Sequence, residues 1–174
     1  HGIYVDTSCN NIKILENRII KVGGSGIKIQ NRTVANSQSK NILIEKNVVS
    51  GTKIGDGILV YNIESGKPIA EDVSITNNKL DNIGQHGINI RETENCIVKE
   101  NKINGCAYAG LYLRNNNHLQ IVDNEYANLQ ENGIFDEGSG EDHLIKNNIF
   151  TNVGISGNFK NGRSSGIFME GGKN

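Results

Sequence analysis

Six residues carry side chains suited to moving protons beside a negatively charged sugar: Asp56, His86, Asn89, Arg91, Tyr112 and Arg114. Asp56 and His86 each stand immediately before a glycine, and Arg91 and Arg114 are 23 residues apart. A histidine can take or give a proton near neutrality, and an adjacent carboxylate sets its tautomer and raises its pKa. Neighbouring guanidinium groups offer bidentate forks to a carboxylate, neutralising it while a proton alpha to it is removed. Tyr112 could donate to, or accept from, a ring oxygen. A base, an acid and a carboxylate neutraliser are the parts that β-elimination or C5-epimerisation of a uronate requires. Such chemistry needs residues distant in the chain to lie side by side.

The 174 residues amount to one domain, read as spanning 1–174, with enough chain to bury a continuous core. With 18 basic and 19 acidic residues the net charge is -1, which gives nucleic acid and anionic membrane surfaces no general attraction. No apolar run approaches the roughly 18 residues of a membrane-spanning helix. Cys9, Cys96 and Cys106 are too few and too unevenly placed for a disulfide framework and are read as small core residues. The 27 Asn, 25 Ile and 21 Gly, with one Pro and no Trp, favour strands and turns over long helices.

The chain repeats. An I-x-I-x-x-N-x-I pattern recurs with Asn at 17, 47, 78, 101, 124 and 148, and copies are 23 residues apart where nothing is inserted. A second signal follows: GIYV at Gly2, GIKI at Gly26, GILV at Gly57, GINI at Gly87, GLYL at Gly110, GIFD at Gly133 and GIFM at Gly166. Each copy supplies two or three short alternating strands that cannot bury their apolar side alone, so copies must stack at about 4.8 Å per coil. Stacking in register places Ile on Ile inside and Asn on Asn at one turn, where Asn tolerates left-handed backbone and can ladder its amide. A leucine-rich repeat has a similar period, but its extra leucine falls on Cys9, Thr93 and Asn116, and its helix on the β-patterned GIxI segment.

The paired N-x-I and GIxI signals resemble right-handed parallel β-helix proteins of the pectin-lyase-like superfamily over essentially the whole chain. The resemblance implies an all-β solenoid of about six to seven coils. That group includes polysaccharide lyases, glycoside hydrolases, uronate epimerases and phage tailspikes. The chain opens within a coil and stops soon after another, as a fragment of a longer β-helix would.

Strand alternation assigns the faces. After each GIxI glycine the second and fourth residues point outward, giving the columns Tyr4, Lys28, Leu59, Asn89, Tyr112, Phe135, Phe168 and Asp6, Gln30, Tyr61, Arg91, Arg114, Glu137, Glu170. That face is aromatic and cationic, whereas Lys13, Leu43, Ser74 and Gln120 on the first strand concentrate neither. Insertions at Asn31 to Lys40, Ile63 to Ala70 and around Ile155 to Ser164 flank the same face, as loops building a groove would. On this reading His86, Arg91, Tyr112, Arg114 and Asp56 are the catalytic candidates, Asp56 orienting His86. Lys28, Gln30, Tyr61, Asn89, Phe135 and Glu137 are the candidates for substrate contact.

A structural reading stands beside it: Asp and His before Gly are ordinary turn residues, and Arg91 could pair with Glu92 or Glu94. The stretches Gly55-Asp56-Gly57, Gln85-His86-Gly87 and Leu111 to Arg114 are similar to motifs of polygalacturonase-type glycoside hydrolases, an alternative activity. The second Asp of GDD is here Gly57, however, and the Arg of R-I-K is Tyr112. The groove centre then supplies one carboxyl where an inverting hydrolase needs two.

Asp136 occupies an inward position that is aliphatic in the other coils. A lone buried carboxylate is costly, so the strand is expected to end or bulge there, turning Asp136 and Glu137 to solvent. With Glu141 and Asp142 they are weak candidates for Ca²⁺, without a regular calcium-loop pattern. His118 and His143 sit at strand starts and fit no zinc motif. The resulting expectation is an extracellular, cell-surface or virion β-helix that binds, and could cleave or epimerise, an extended polysaccharide. The alternative is a structural or adhesive solenoid, such as a tailspike segment, whose same face packs in a homo-oligomer, a trimer for a tailspike.

Overall fold

Runs of Ile alternating with polar residues, closed by Gly and Asn, make strands of three to seven residues that gain stability only from neighbours above and below. A computed structural model describes residues 1–6, 9–31, 39–62, 70–138, 140–157 and 164–170 and forms these runs into three parallel sheets. Sheet A holds β1 (Ile3–Asp6), β4 (Ile27–Asn31), β7 (Ile58–Asn62), β10 (Ile88–Arg91), β13 (Leu111–Arg114), β16 (Ile134–Glu137) and β19 (Ile167–Glu170). Sheet B holds β2 (Ile12–Leu15), β5 (Ser39–Glu45), β8 (Ala70–Thr76), β11 (Thr93–Lys99), β14 (Gln120–Val122) and β17 (Leu144–Lys146). Sheet C holds β3 (Arg18–Ile20), β6 (Val48–Thr52), β9 (Lys79–Ile83), β12 (Lys102–Cys106), β15 (Glu125–Leu129) and β18 (Ile149–Val153). Every coil thus adds one strand to each sheet, and among the described residues no helix occupies the place a leucine-rich repeat would give one. The three expected insertions fall largely on 32–38, 63–69 and 158–163, outside the described residues.

Registration is residue on residue. Ile27, Ile58, Ile88, Leu111 and Ile134 form one inward column, all fully buried. Cys96 and Cys106 are buried in the same aliphatic core, while Cys9 is half-buried with its thiol toward the Asp6 carbonyl. Gly87 shows why glycine opens these strands: a Cβ there would sit 2.5 Å from Ile103 Cγ2 and 2.6 Å from the Gly110 carbonyl of the next coil.

The Asn column forms a continuous amide ladder. Asn17, Asn47, Asn78 and Asn101 each donate Nδ2–H to Oδ1 of the next member, through Asn124 to Asn148, at 2.9–3.0 Å. Each Oδ1 also accepts the backbone N–H of the preceding member, so buried amides are satisfied along the whole stack. The left-handed residue is not the ladder Asn but the one before it: Glu16, Lys46, Asn77, Glu100, Asp123 and Asn147, with φ of 54–57°. The ladder Asn is therefore selected for its amide.

Asp136 corrects the expectation for its coil. β16 runs on regularly through Glu137, paired with β13 and β19, and Asp136 stays inward and buried. It faces His143, whose Nε2 lies 3.3 Å from Asp136 Oδ2, both side chains nearly inaccessible. Gly140 makes room, since a Cβ there would collide with the imidazole and with the Asn116 carbonyl.

Candidate functional site

At three of the strand-opening glycines the preceding residue points its side chain along the stack. His1 Nδ1 accepts the Ser25 N–H (3.0 Å), Asp56 Oδ1 accepts that of His86 (3.1 Å), and His86 Nδ1 accepts that of Ala109 (3.2 Å). The column thus closes turns of the next coil, which gives Asp56 and His86 a structural task as well. Because His86 Nδ1 is an acceptor, the neutral ring carries its proton on Nε2. Asp56 meets the backbone of His86 rather than adjusting the imidazole through Nδ1.

From Asp56 a buried chain of hydrogen bonds reaches the surface. Asn89 donates Nδ2–H to Asp56 Oδ2 (3.2 Å), and Arg91 donates Nε–H to Asn89 Oδ1 (3.0 Å). The guanidinium of Arg91 then lies over the Tyr112 ring, 5.0 Å from its centroid. Burial pushes the Asp56 carboxyl up to about 6, against the hydrogen bonds from His86 and Asn89 and the charge of Arg91, which lower it.

Tyr112 is the centre of the face. Its ring lies 4.7 Å from that of His86 and edge-on to Phe135 at 5.6 Å, and Phe168 continues the column at 5.5 Å. Its hydroxyl donates to Glu137 Oε2. Burial, then the Glu137 hydrogen bond and charge, pushes the phenol up to about 12, so it is a neutral donor. Arg114 is the register partner of Arg91 on β13 and is exposed. A cavity of about 310 Å³ opens between these groups, walled by His86, Arg91, Tyr108, Tyr112, Glu131 and Glu137 among others.

Asp56, His86, Asn89, Arg91, Tyr112, Phe135 and Glu137 are thus brought together. Lys28, Gln30 and Tyr61 form a separate cluster on earlier coils of the same sheet: Lys28 Nζ lies over the Tyr4 and Tyr61 rings at 5.0 and 5.2 Å, and Tyr61 donates to Gln30 Oε1 at 2.6 Å. Glu131 and Tyr108 were not anticipated. Both lie two residues before a strand-opening glycine, a column as legible as the one beside it. With Glu131 and Glu137 the cavity has two carboxylates in its wall, not the single one counted from sequence.

The calcium candidates do not converge. Asp136 faces inward to His143, Glu137 outward to Tyr112, Asp142 lies 3.4 Å from His118 Nε2, and the Glu141 carbonyl accepts the His118 N–H. Among the described residues no group of three or more His, Cys, Asp or Glu side chains is arranged around a metal. His118 is held between carboxylates, its Nδ1 2.5 Å from Glu94 Oε1, and this hydrogen bond raises its pKa. Glu92 Oε1 accepts from Asn115 Nδ2, and Glu94 Oε2 accepts from Asn117 Nδ2.

Three parallel sheets wound coil upon coil define the class, and comparison with known families agrees: the sequence model of the right-handed beta helix region matches residues 1–174. The chain belongs to the right-handed β-helix family. Comparison with curated proteins and with solved structures gives no match.

Proposed function

We propose that this β-helix binds an extended acidic polysaccharide along the outward face of sheet A, with one uronate seated in the cavity beside Tyr112. The observation that carries the reading is the alignment of His86, Tyr112, Phe135 and Phe168 rings along the axis, with Arg91 and Arg114 in register at one edge. Aromatic rings offer apolar platforms to the C–H faces of pyranoses, and guanidinium forks receive carboxylates. The coil rise of about 4.8 Å is close to the advance of one sugar in an extended chain, so successive sugars would meet successive coils. The reading carries with it a location outside the cell, at its surface or on a virion.

The proton inventory favours binding over elimination by a histidine base. His86 Nδ1 is occupied by the Ala109 N–H and the Tyr112 hydroxyl by Glu137, and the carboxylates in the cavity wall are Glu131 and Glu137. Elimination, epimerisation or hydrolysis in this cavity would therefore depend on Glu131 or Glu137.

Affinity electrophoresis through gels containing polygalacturonate, alginate or neutral dextran tests the reading. Retardation by an acidic gel but not dextran, relieved in Arg114→Ala, is the expected result. Free migration in every gel, or a trimer in sedimentation that protects the exposed Arg114 from solvent, would overturn it in favour of a structural shaft. The same mixtures report activity, through absorbance of an unsaturated product for elimination and new reducing ends for hydrolysis.

A further inference from the structure

We infer that Asp56 is a positioning residue which, through the amide of Asn89, fixes the Arg91 guanidinium over Tyr112 and releases it when Asp56 gains a proton. The inference concerns the same face and rests on the proposed ligand only for its consequence in binding. Donor and acceptor roles leave one arrangement. Arg91 Nε–H can only donate, so Asn89 must present Oδ1 to it; Asn89 Nδ2 is then left for Asp56, which must accept. Asp56 and Asn89 are almost completely buried, at 3 % and 1 % exposure, so water does not substitute for a missing partner.

Oδ1 accepts the backbone N–H of His86, which leaves Oδ2, beside the Asn89 amide, as the site for a proton on Asp56. An O–H directed at Asn89 Nδ2 sets donor against donor, and an O–H turned away leaves Nδ2–H a weaker, uncharged acceptor. Turning the Asn89 amide by half a rotation restores that bond but presents Nδ2–H to Arg91 Nε–H, and the conflict passes to the arginine, the one group of the three with access to solvent. Arg91 leaves its place above the Tyr112 ring.

The titratable or charged groups that act on Asp56 are Arg91 of β10 and the Cys106 thiol at the end of β12, held protonated by burial, while His86 of the turn below meets it through its backbone N–H. The turn above brings Ser25, which does not titrate. Burial holds the Asp56 carboxyl at about 6, so the relay changes state within the mildly acidic range.

The Arg91 Nε–H resonance, followed by ¹⁵N–¹H NMR against pH in the free protein, reads the relay without ligand. In the native protein it should move with a midpoint near 6. In Asp56→Asn, which keeps an acceptor for the His86 N–H but presents a fixed donor to Asn89, it should stay at its low-pH position. Asn89→Ala should silence it while leaving Asp56 free to titrate. A titration that persists in Asp56→Asn would assign the change to His86 and overturn the inference, as would a native resonance that does not move. Polygalacturonate retardation supplies the consequence: native affinity should fall about tenfold between pH ~7.5 and pH ~5, and Asp56→Asn should be weak at both, the loss of one charge-assisted contact. If polygalacturonate is not retained at either pH, the polysaccharide reading fails while the Arg91 resonance still decides the relay.

Discussion

Asp136 Oδ2 and His143 Nε2 face each other at 3.3 Å inside the solenoid, at inward positions that other coils fill with Ile90 or Leu113 and with Val73 or Leu119. The 3.3 Å approach is not a hydrogen bond: Asp136 Oδ1 and both ring nitrogens of His143 are buried without a hydrogen-bond partner among the described residues. One coil has thus exchanged two aliphatic side chains for a buried, incompletely satisfied acid–base pair.

Breaking that pair should cost far more than removing it. Asp136→Leu or His143→Leu alone leaves one polar partner stranded and is expected to destabilise by ~3–5 kcal/mol, whereas the double replacement restores the column and should be neutral or stabilising. Urea unfolding of the two single variants and the double variant measures this. Additive single effects in the double variant would mean the two side chains are not coupled.

The amide ladder should be strongest in the middle. Asn101→Ala removes an Nδ2 donor serving the Ile75 carbonyl and Asn124, and the Oδ1 that accepts twice from Asn78. Several buried groups lose partners at about 1–3 kcal/mol for each one left unsatisfied, so a loss of more than ~2 kcal/mol is expected. Asn17→Ala, at the first, half-exposed rung, should cost less than half as much in the same chemical melts.

Asp56 should make stability fall as pH rises. Its folded-state carboxyl lies at about 6, above the ordinary 3.8, so between these values the folded protein holds a proton that the unfolded chain has lost. The penalty is absent below pH 3.8, grows through the interval and is complete above about 6, where it amounts to ~3 kcal/mol. Asp56→Asn, relative to the native protein, should therefore gain stability on going from pH ~4.5 to pH ~7.5. Thermal melts at both pH values check the sign, and an equal difference at the two would contradict it.

Gly87→Ala tests the close approach of neighbouring coils. Its Cβ would press on the Gly110 backbone carbonyl as well as on Ile103, and backbone cannot swing aside, so a loss of ~1–3 kcal/mol is expected from chemical melts. An unchanged midpoint would mean the coils separate freely there.

The architecture was open to reading because a stacked repeat converts sequence period directly into spatial columns. Once Asn78, Asn101 and Asn124 are seen 23 residues apart, the pairing of Arg91 with Arg114 follows without further information. Side-chain direction within a turn does not follow from period. Period puts Asp56 and His86 at the same turn position of successive coils, yet which atoms meet depends on the turn backbone, and the contact is carboxylate to main chain. Glu131 and Tyr108 stand in a column the repeat does define, two residues before the glycine, but alternation assigns faces only to strand positions, so the column's direction toward the cavity is not given by sequence. The repeat places His143 in the inward column of Val73 and Leu119, five residues before Asn148, but pairing it with Asp136 requires seeing that two polar residues of adjoining sheets face each other inside one coil, which neither column shows alone.

The most direct measurement is chemical-shift mapping of the ¹⁵N-labelled protein during titration with a polygalacturonate oligosaccharide. The account predicts saturable shifts confined to the outward face of sheet A, at Asn89, Arg91, Tyr112, Arg114, Phe135 and Glu137, extending to Lys28 as the oligosaccharide lengthens. Shifts confined to sheet B around His118 and Gln120, or no saturable shift with any acidic oligosaccharide, would contradict it.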